Sequence, residues 1–401
     1  MPEPIVPAPL GPPQPAYGPP PSLAPQLPSP VATAPAGPAK VALLVPLSGP
    51  NAGLGNAILD AAQMALFDTG GEQLTLVPRD THGTPAGAAA AARSAVADGV
   101  NLILGPLLAA EVEAVKPIAR DAHVNVIAFS TVTDLAGGGI YLMGFLPRQE
   151  AVREVSYARQ RGLARFAALA PDTPYGHLMA DALRETAASA GGTVTKIVFF
   201  DTQSDNLSTA IATLLPAGPS SPPAAADPDA APPQTPPRPT APRFDALLLP
   251  EGGDQLKQIA RKLAAAGLDN KATRLLGSGL WDTPDIGAEP TLDGGWFAAA
   301  SPDARDDFER RFSATYGHEP PRLASLGYDA AALAAALASG RFGVPFSREA
   351  IENPNGFSGV DGLFRFTPDD LVQRGLAVLE VEPQGNIVVS PAPRSFRDLG
   401  Y

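Results

Sequence analysis

Ser48 and Asn51 lie in Val45-Pro-Leu-Ser48-Gly49-Pro50-Asn51, where an apolar run gives way to glycines and then to a helical pattern. A hydroxyl and an amide at a strand-to-helix turn can serve an anion through free N–H groups, or can simply cap the helix. Further groups able to bind follow at Ser130, Thr131 and Thr133, and at Tyr175, Glu251 and Trp281, which fall at or just beyond the carboxyl ends of predicted strands. Open α/β sheets take up ligands there. Tyr175, Glu251 and Trp281 read equally well as packing at a lobe boundary. No catalytic constellation accompanies them. Gly49, Gly53 and Gly55 are followed by no Gly-Lys-Ser/Thr, Gly53-Leu54-Gly55 lacks the third glycine of a dinucleotide fingerprint, and no Gly-x-Ser-x-Gly occurs. His82, His123, His177 and His318 are scattered without metal-ligand spacing, and cysteine is absent. The expectation is a protein that is not an enzyme and carries no metal and no cofactor.

The net charge of −12 and pI of about 4.8 disfavour nucleic acid and anionic lipid surfaces. Arg148, Arg153, Arg159, Arg161 and Arg165 form a local basic run that reads as the solvated face of a helix. No stretch reaches the ~18 apolar residues of a transmembrane helix.

Proline draws the domain map. Residues 1–39 and 216–242 hold 26 of the 47 prolines. Proline blocks helix interiors and sheet centres, so both segments are expected to be disordered, the first as a tether and the second as a loop insertion. Met1 to Lys40 lacks the charged start and apolar middle of a secretory signal. The chain is thus either cytoplasmic or begins downstream of its true start.

Between these segments, short Val/Leu/Ile-rich runs at 40–47, 73–79, 101–105 and 124–129 alternate with Ala-rich helical patterns at 54–68, 85–98 and 108–121. Apolar residues on both strand faces imply parallel strands covered on each side by helices. A second series runs from a helix at 148–161 to a strand at 273–277. Helices at 302–316 and 324–339 follow, then strands at 363–366, 375–381 and 386–390, the last two joined by a hairpin near Gln384-Gly385-Asn386. Two α/β lobes, each a doubly wound and mainly parallel sheet, would face each other across a cleft. The segments divide as 40–145 plus 273–325 for lobe 1 and 146–272 plus 326–392 for lobe 2, with 393–401 a tail.

Val41-Ala-Leu-Leu-Val-Pro-Leu-Ser-Gly-Pro-Asn-Ala-Gly-Leu-Gly-Asn-Ala57, Pro174-Tyr175-Gly176, Gly252-Gly253 and Gly327-Tyr328-Asp329-Ala330-Ala331 together resemble type I periplasmic binding proteins of the leucine-binding class. Within that superfamily, Ile103-Leu-Gly-Pro-Leu-Leu108, Val126-Ile-Ala-Phe-Ser-Thr131, Tyr141-Leu-Met-Gly-Phe-Leu-Pro147 and Phe166-Ala-Ala-Leu-Ala-Pro-Asp-Thr-Pro-Tyr-Gly176 look most like the penicillin-binding protein activator lipoproteins of the LpoA/LppC type. That resemblance implies a periplasmic module, outer-membrane-anchored in a longer form. It would regulate peptidoglycan synthesis by contact with a bifunctional peptidoglycan synthase. The alternative is a solute-binding receptor of an ABC transporter for a small polar molecule of amino-acid or amide type.

Amino-acid binders of this class grip the ligand carboxylate with hydroxyls and amides and the ammonium with an acid. Here the loop that should carry the serine reads Gly105-Pro106-Leu107-Leu108, and the position matching the acid is Gly279. Only Ser130, Thr131 and Thr133 keep hydroxyls, which argues against amino-acid binding. The candidate cleft residues are Ser48, Asn51, Leu107, Ser130, Thr131, Tyr175, Glu251 and Trp281.

Overall fold

The computed structural model describes residues 37–69, 73–202, 206–215 and 244–397. The expected tether, apart from its last residues, the expected loop insertion and the end of the tail lie outside the described residues. The chain runs through β1 (Ala39–Val45), α1 (Ala52–Thr69), β2 (Leu74–Asp80), α2 (Pro85–Ala97), β3 (Leu102–Leu104), α3 (Ala109–Asp121), β4 (Asn125–Ala128) and β5 (Ile140–Leu142). Next come α4 (Pro147–Gln160), β6 (Arg165–Pro171), α5 (Pro174–Ser189), β7 (Thr193–Phe200), α6 (Leu207–Leu214), β8 (Ala246–Leu248), α7 (Gly253–Ala265), β9 (Arg274–Leu276) and β10 (Trp296–Ala299). The series closes with α8 (Pro302–Tyr316), α9 (Ala324–Ala338), α10 (Arg348–Ile351), β11 (Phe357–Gly359), β12 (Gly362–Phe366), β13 (Val372–Arg374), β14 (Ala377–Glu380) and β15 (Ile387–Ser390).

The first sheet has the order β2-β1-β3-β4-β5 and is parallel throughout. Alternation along β1 shows why it is apolar on both faces. Val41, Leu43 and Val45 pack with α1 and α9, whereas Ala42 and Leu44 pack with α2 and α3. The second sheet has the order β15-β14-β10-β9-β8-β6-β7, with β14 and β15 antiparallel. Ala167 and Leu169 of β6 meet α6 and α7, while Phe166 and Ala168 meet α4 and α5. A small antiparallel sheet, β11-β12-β13, adjoins the edge of the first through a Leu142–Leu371 bridge.

This topology corrects the expected division of the chain. Residues 273–299 were assigned to lobe 1, but β9 and β10 hydrogen-bond into the second sheet. Residues 326–374 were assigned to lobe 2, but Leu326, Ala330, Phe357, Phe364 and Val372 pack in the core of the first sheet. β14 and β15 do belong to lobe 2, and the chain crosses between lobes near 143–146, 300–301 and 375–376. The basic run is a solvated face in part: Arg148, Arg161 and Arg165 are exposed, whereas Arg153 and Arg159 are half-buried. Arg148 pairs with Glu185, Arg153 donates to the Leu376 carbonyl at 2.7 Å, and Arg165 pairs with Asp245.

Close packing of α9 on α1 anchors lobe 1. A Cβ at Gly327 would stand 2.2 Å from the Ile58 carbonyl oxygen, a backbone atom that cannot swing aside. Gly327→Ala should force α9 off α1 and destabilise the protein by roughly 1–3 kcal/mol, read as a lower urea midpoint. An unchanged midpoint would disprove the contact.

Candidate functional site

Both parallel sheets point their carboxyl ends toward one cavity of about 420 Å³. Lobe 1 supplies Asn51 and Leu54 from the start of α1, Leu107 to Ala109 from the turn into α3, Ser130 to Val132 after β4, and Arg322, Leu323 and Arg374. Lobe 2 supplies Gln149 and Glu150 from the first turn of α4, Tyr175 from α5, Gly279, Leu280 and Ala298 to Ala300. The crossings add Phe145, Leu146 and Leu376. Local sequence fixes several of these positions. Thr173 caps α5 by accepting the Gly176 amide and Pro174 opens the helix, which sets Tyr175 at the rim.

Five of the residues expected from the sequence, Asn51, Leu107, Ser130, Thr131 and Tyr175, line this cavity. Three do not. The Ser48 hydroxyl lies 2.7 Å from His82 Nδ1, the same nitrogen that pairs with Asp80 at 2.9 Å. It therefore fastens the turn rather than facing the cavity. With serine and aspartate on one ring nitrogen, the trio also lacks the relay a nucleophile would need. Trp281 is fully buried in the lobe 2 core, its indole N–H donating to the Leu249 carbonyl at 3.1 Å. Glu251 accepts the adjacent Gly252 amide at 3.1 Å and lies outside the lining.

The charged side chains of the site were not singled out from the sequence. Asp361 lies 2.9 Å from Arg322, Asp329 lies 3.9 Å from Arg374, and Asp282 pairs with Arg305 while standing 3.7 Å from Arg322. Asp282 belongs to lobe 2 and both its arginine partners to lobe 1, so these contacts tie the lobes together. Arg374 also donates to the Met143 carbonyl at 2.8 Å. Its guanidinium and that of Arg322 lie 4.8 and 4.0 Å from the Phe145 ring centroid. Against the cost of burial, Arg322 and Arg374 hold the Asp361 carboxyl below its usual range. Burial and the charge of Asp361 raise Asp329.

Glu150 forms no ion pair among the described residues. One of its oxygens accepts the Gly279 amide at 3.1 Å, and a Cβ on Gly279 would lie 2.8 Å from the other. The carboxylate thus occupies room that only a glycine leaves. One turn on, buried Glu154 accepts the Ala298 amide at 2.9 Å. Burial raises the Glu150 carboxyl to about 7, opposed by the Gly279 amide and Arg322 and assisted by Asp282. Burial likewise raises Glu154, with Glu150 adding to the effect. Among the described residues no group of acids and histidines is arranged to hold a metal.

A doubly wound pair of lobes enclosing a mostly apolar cavity is the architecture of a binding protein. The periplasmic binding protein family model matches residues 38–386, and the chain belongs to that family. Solved structures agree on the fold. A putative branched-chain amino acid ABC transporter protein from Rhodospirillum rubrum is 20% identical, with 88% of this chain and 100% of that one covered and a TM-score of 0.71. A branched-chain amino acid transporter substrate-binding protein from Streptococcus pneumoniae, solved with isoleucine, is 19% identical over 88% and 100% of the two chains, with a TM-score of 0.60. A solute-binding protein of an ABC transporter from R. palustris, solved with benzoate, is 18% identical over 89% and 98%, with a TM-score of 0.60. No curated protein sequence matches the chain.

The raised Glu150 carboxyl carries a stability signature. The folded chain holds this proton more tightly than the unfolded chain, so the stabilisation is complete below about pH 4.5 and is lost as pH climbs to about 7. The effect is on the order of 3 kcal/mol. Urea unfolding of the ligand-free protein should give lower stability at pH 8 than at pH 5, and Glu150→Gln should shrink that difference by a similar amount. An undiminished difference would show that Glu150 is not the buried acid.

Proposed function

We propose that this protein is a solute-binding receptor of an ABC transporter that captures a small molecule between its lobes. The observation that carries this reading is the cavity of about 420 Å³, lined from both lobes and from the crossings. Ligand pockets are commonly ~300–1,000 Å³ and mostly apolar with a few placed polar groups. Here Leu54, Leu107, Leu108, Phe129, Leu280 and Leu323 supply the apolar wall, and Asn51, Ser130, Thr131, Gln149, Glu150, Tyr175, Arg322 and Arg374 the polar positions. Hinge closure of the two lobes around the solute is the expected mode of capture. Family membership supports a periplasmic location. No described helix is long and apolar enough to cross a membrane.

The other reading, contact regulation of a bifunctional peptidoglycan synthase, rests on the sequence motifs around Gly105 and Phe166. A regulator acting through its outer surface needs no cavity, so solute capture is favoured.

Thermal denaturation against a library of small amines, acids, amino acids and amides tests the reading. A true ligand at 100 times its Kd should add about 2.7 kcal/mol. Leu280→Trp, at an exposed rim position of the cavity, should abolish that gain while leaving the ligand-free melting temperature near the parent's. A gain that persists would place the ligand elsewhere. Capture of a purified synthase with no ligand response from the library would favour the regulatory reading.

A further inference from the structure

Asp282 stands apart among the charged groups at the junction because of where its partners come from. Its carboxylate pairs with Arg305 and lies 3.7 Å from Arg322, both of lobe 1. Within its own lobe the charge it meets is Glu150, of the same sign. The arginines are placed differently. Arg305 also pairs with Glu309 at 2.7 Å, one turn along α8. Arg322 pairs with Asp361 at 2.9 Å and donates to the Ser325 hydroxyl at 3.0 Å. Those partners all belong to lobe 1. Drawing the lobes apart would leave each arginine with an acid beside it, and Asp282 with no cation.

Both ends of the contact are fastened to their lobes. Asp282 follows the turn Gly279–Trp281, and Trp281 is fully buried in the lobe 2 core with its indole N–H on the Leu249 carbonyl. Arg305 rises from the first turn of α8, whose Phe308 and Phe312 pack with Ala57 and Ala61 of α1. A pull on this ion pair is therefore a pull on two whole lobes. The Asp282 and Arg305 side chains are 16% and 14% exposed, so their attraction is screened less than that of a surface pair. Parting returns both groups to water, which makes the contact reversible.

We propose that Asp282 is a latch that holds the two lobes together before any solute arrives, so that the resting protein is closed. Entry to the cavity then waits on the parting of Asp282 from Arg305 and Arg322. The strength of that contact sets how often the cleft opens, whatever the solute. The latch goes beyond the solute-binding reading. It concerns the position of the lobes in the empty protein, so either idea can fail while the other stands.

The chain has no cysteine, which allows one spin label in each lobe, at Glu113→Cys on α3 and Asp254→Cys on α7, both exposed positions. Double electron–electron resonance on the full chain, with no solute added, then reads the distance between lobes. The parent should show one population, matching the separation of the two sites in this structure. Asp282→Asn keeps the shape and removes the charge, and should add a longer-distance population, raising the open share by about tenfold. Arg305→Gln should open the cleft from the other side, and carries the test alone if Asp282→Asn does not fold. The double variant should be no more open than the wider of the two single ones, because both remove the same contact. A parent that is already open, a distance that neither substitution changes, or opening that adds up in the double variant would each overturn the latch.

Discussion

The structure depends on how charge is buried where the two lobes meet. Arg305, Arg322 and Arg374 come from lobe 1, and with Asp329 and Asp361 of the same lobe and Asp282 of the other they form a chain of ion pairs. Asp329 and Asp361 are fully buried, and Arg374 is 5% exposed. Removing one member of such a network leaves its partner uncompensated, which is far costlier than the net worth of the pair. The network therefore constrains geometry more than it adds stability. It fixes the start of α9, the end of β13 and the loop after Trp281 in one arrangement, and the cavity is the space they leave.

Gly279 and Glu150 show the same constraint at a single contact. The loop after β9 carries no side chain at 279, and the carboxylate of α4 fills that room while accepting the loop's amide. The absence of an acid from this loop reads in the sequence as evidence against amino-acid binding. In three dimensions an acid is present after all, supplied by another element. A binding group can move between elements of a fold, because what matters is where its oxygen stands.

Much of the architecture was legible because its signals are local. Short runs apolar on both faces and Ala-rich helical spacing identify β1 to β4, α1 to α3 and the units around β6 to β8. Turn chemistry located Asn51, Leu107, Ser130, Thr131 and Tyr175 on the cavity wall. What local patterns do not encode is pairing over distance. Nothing in Arg274-Leu-Leu276 states which sheet it joins, so β9 and β10 were placed in the wrong lobe. Glu150 sits in Arg148-Gln149-Glu150, which reads as the opening of a helix with a solvated basic face, and Arg374 in a polar stretch before a strand. Their burial follows only from the crossings. Trp281 was misjudged for the complementary reason, since a large aromatic beside glycines suits a rim or a core equally, and the Leu249 carbonyl draws its indole inward.

The crossings also bear on how the cavity could respond to an occupant. Phe145, Leu146, Ala300 and Leu376 lie in the connecting segments and line the cavity as well. Gln149, one turn into α4, donates to the Val372 carbonyl and accepts the Arg374 amide at 2.8 Å, so it bridges α4 and β13 across the junction. An occupant would thus press on the same residues that have to bend if the lobes rotate. A ligand shifts a conformational equilibrium only by its difference in affinity for the two states. Here that difference has a physical source. Closure would bring Leu54, Leu107 and Leu323 of one lobe and Leu280, Tyr175 and Glu150 of the other onto the same small molecule, whereas an open cleft would leave it touching one lobe at a time.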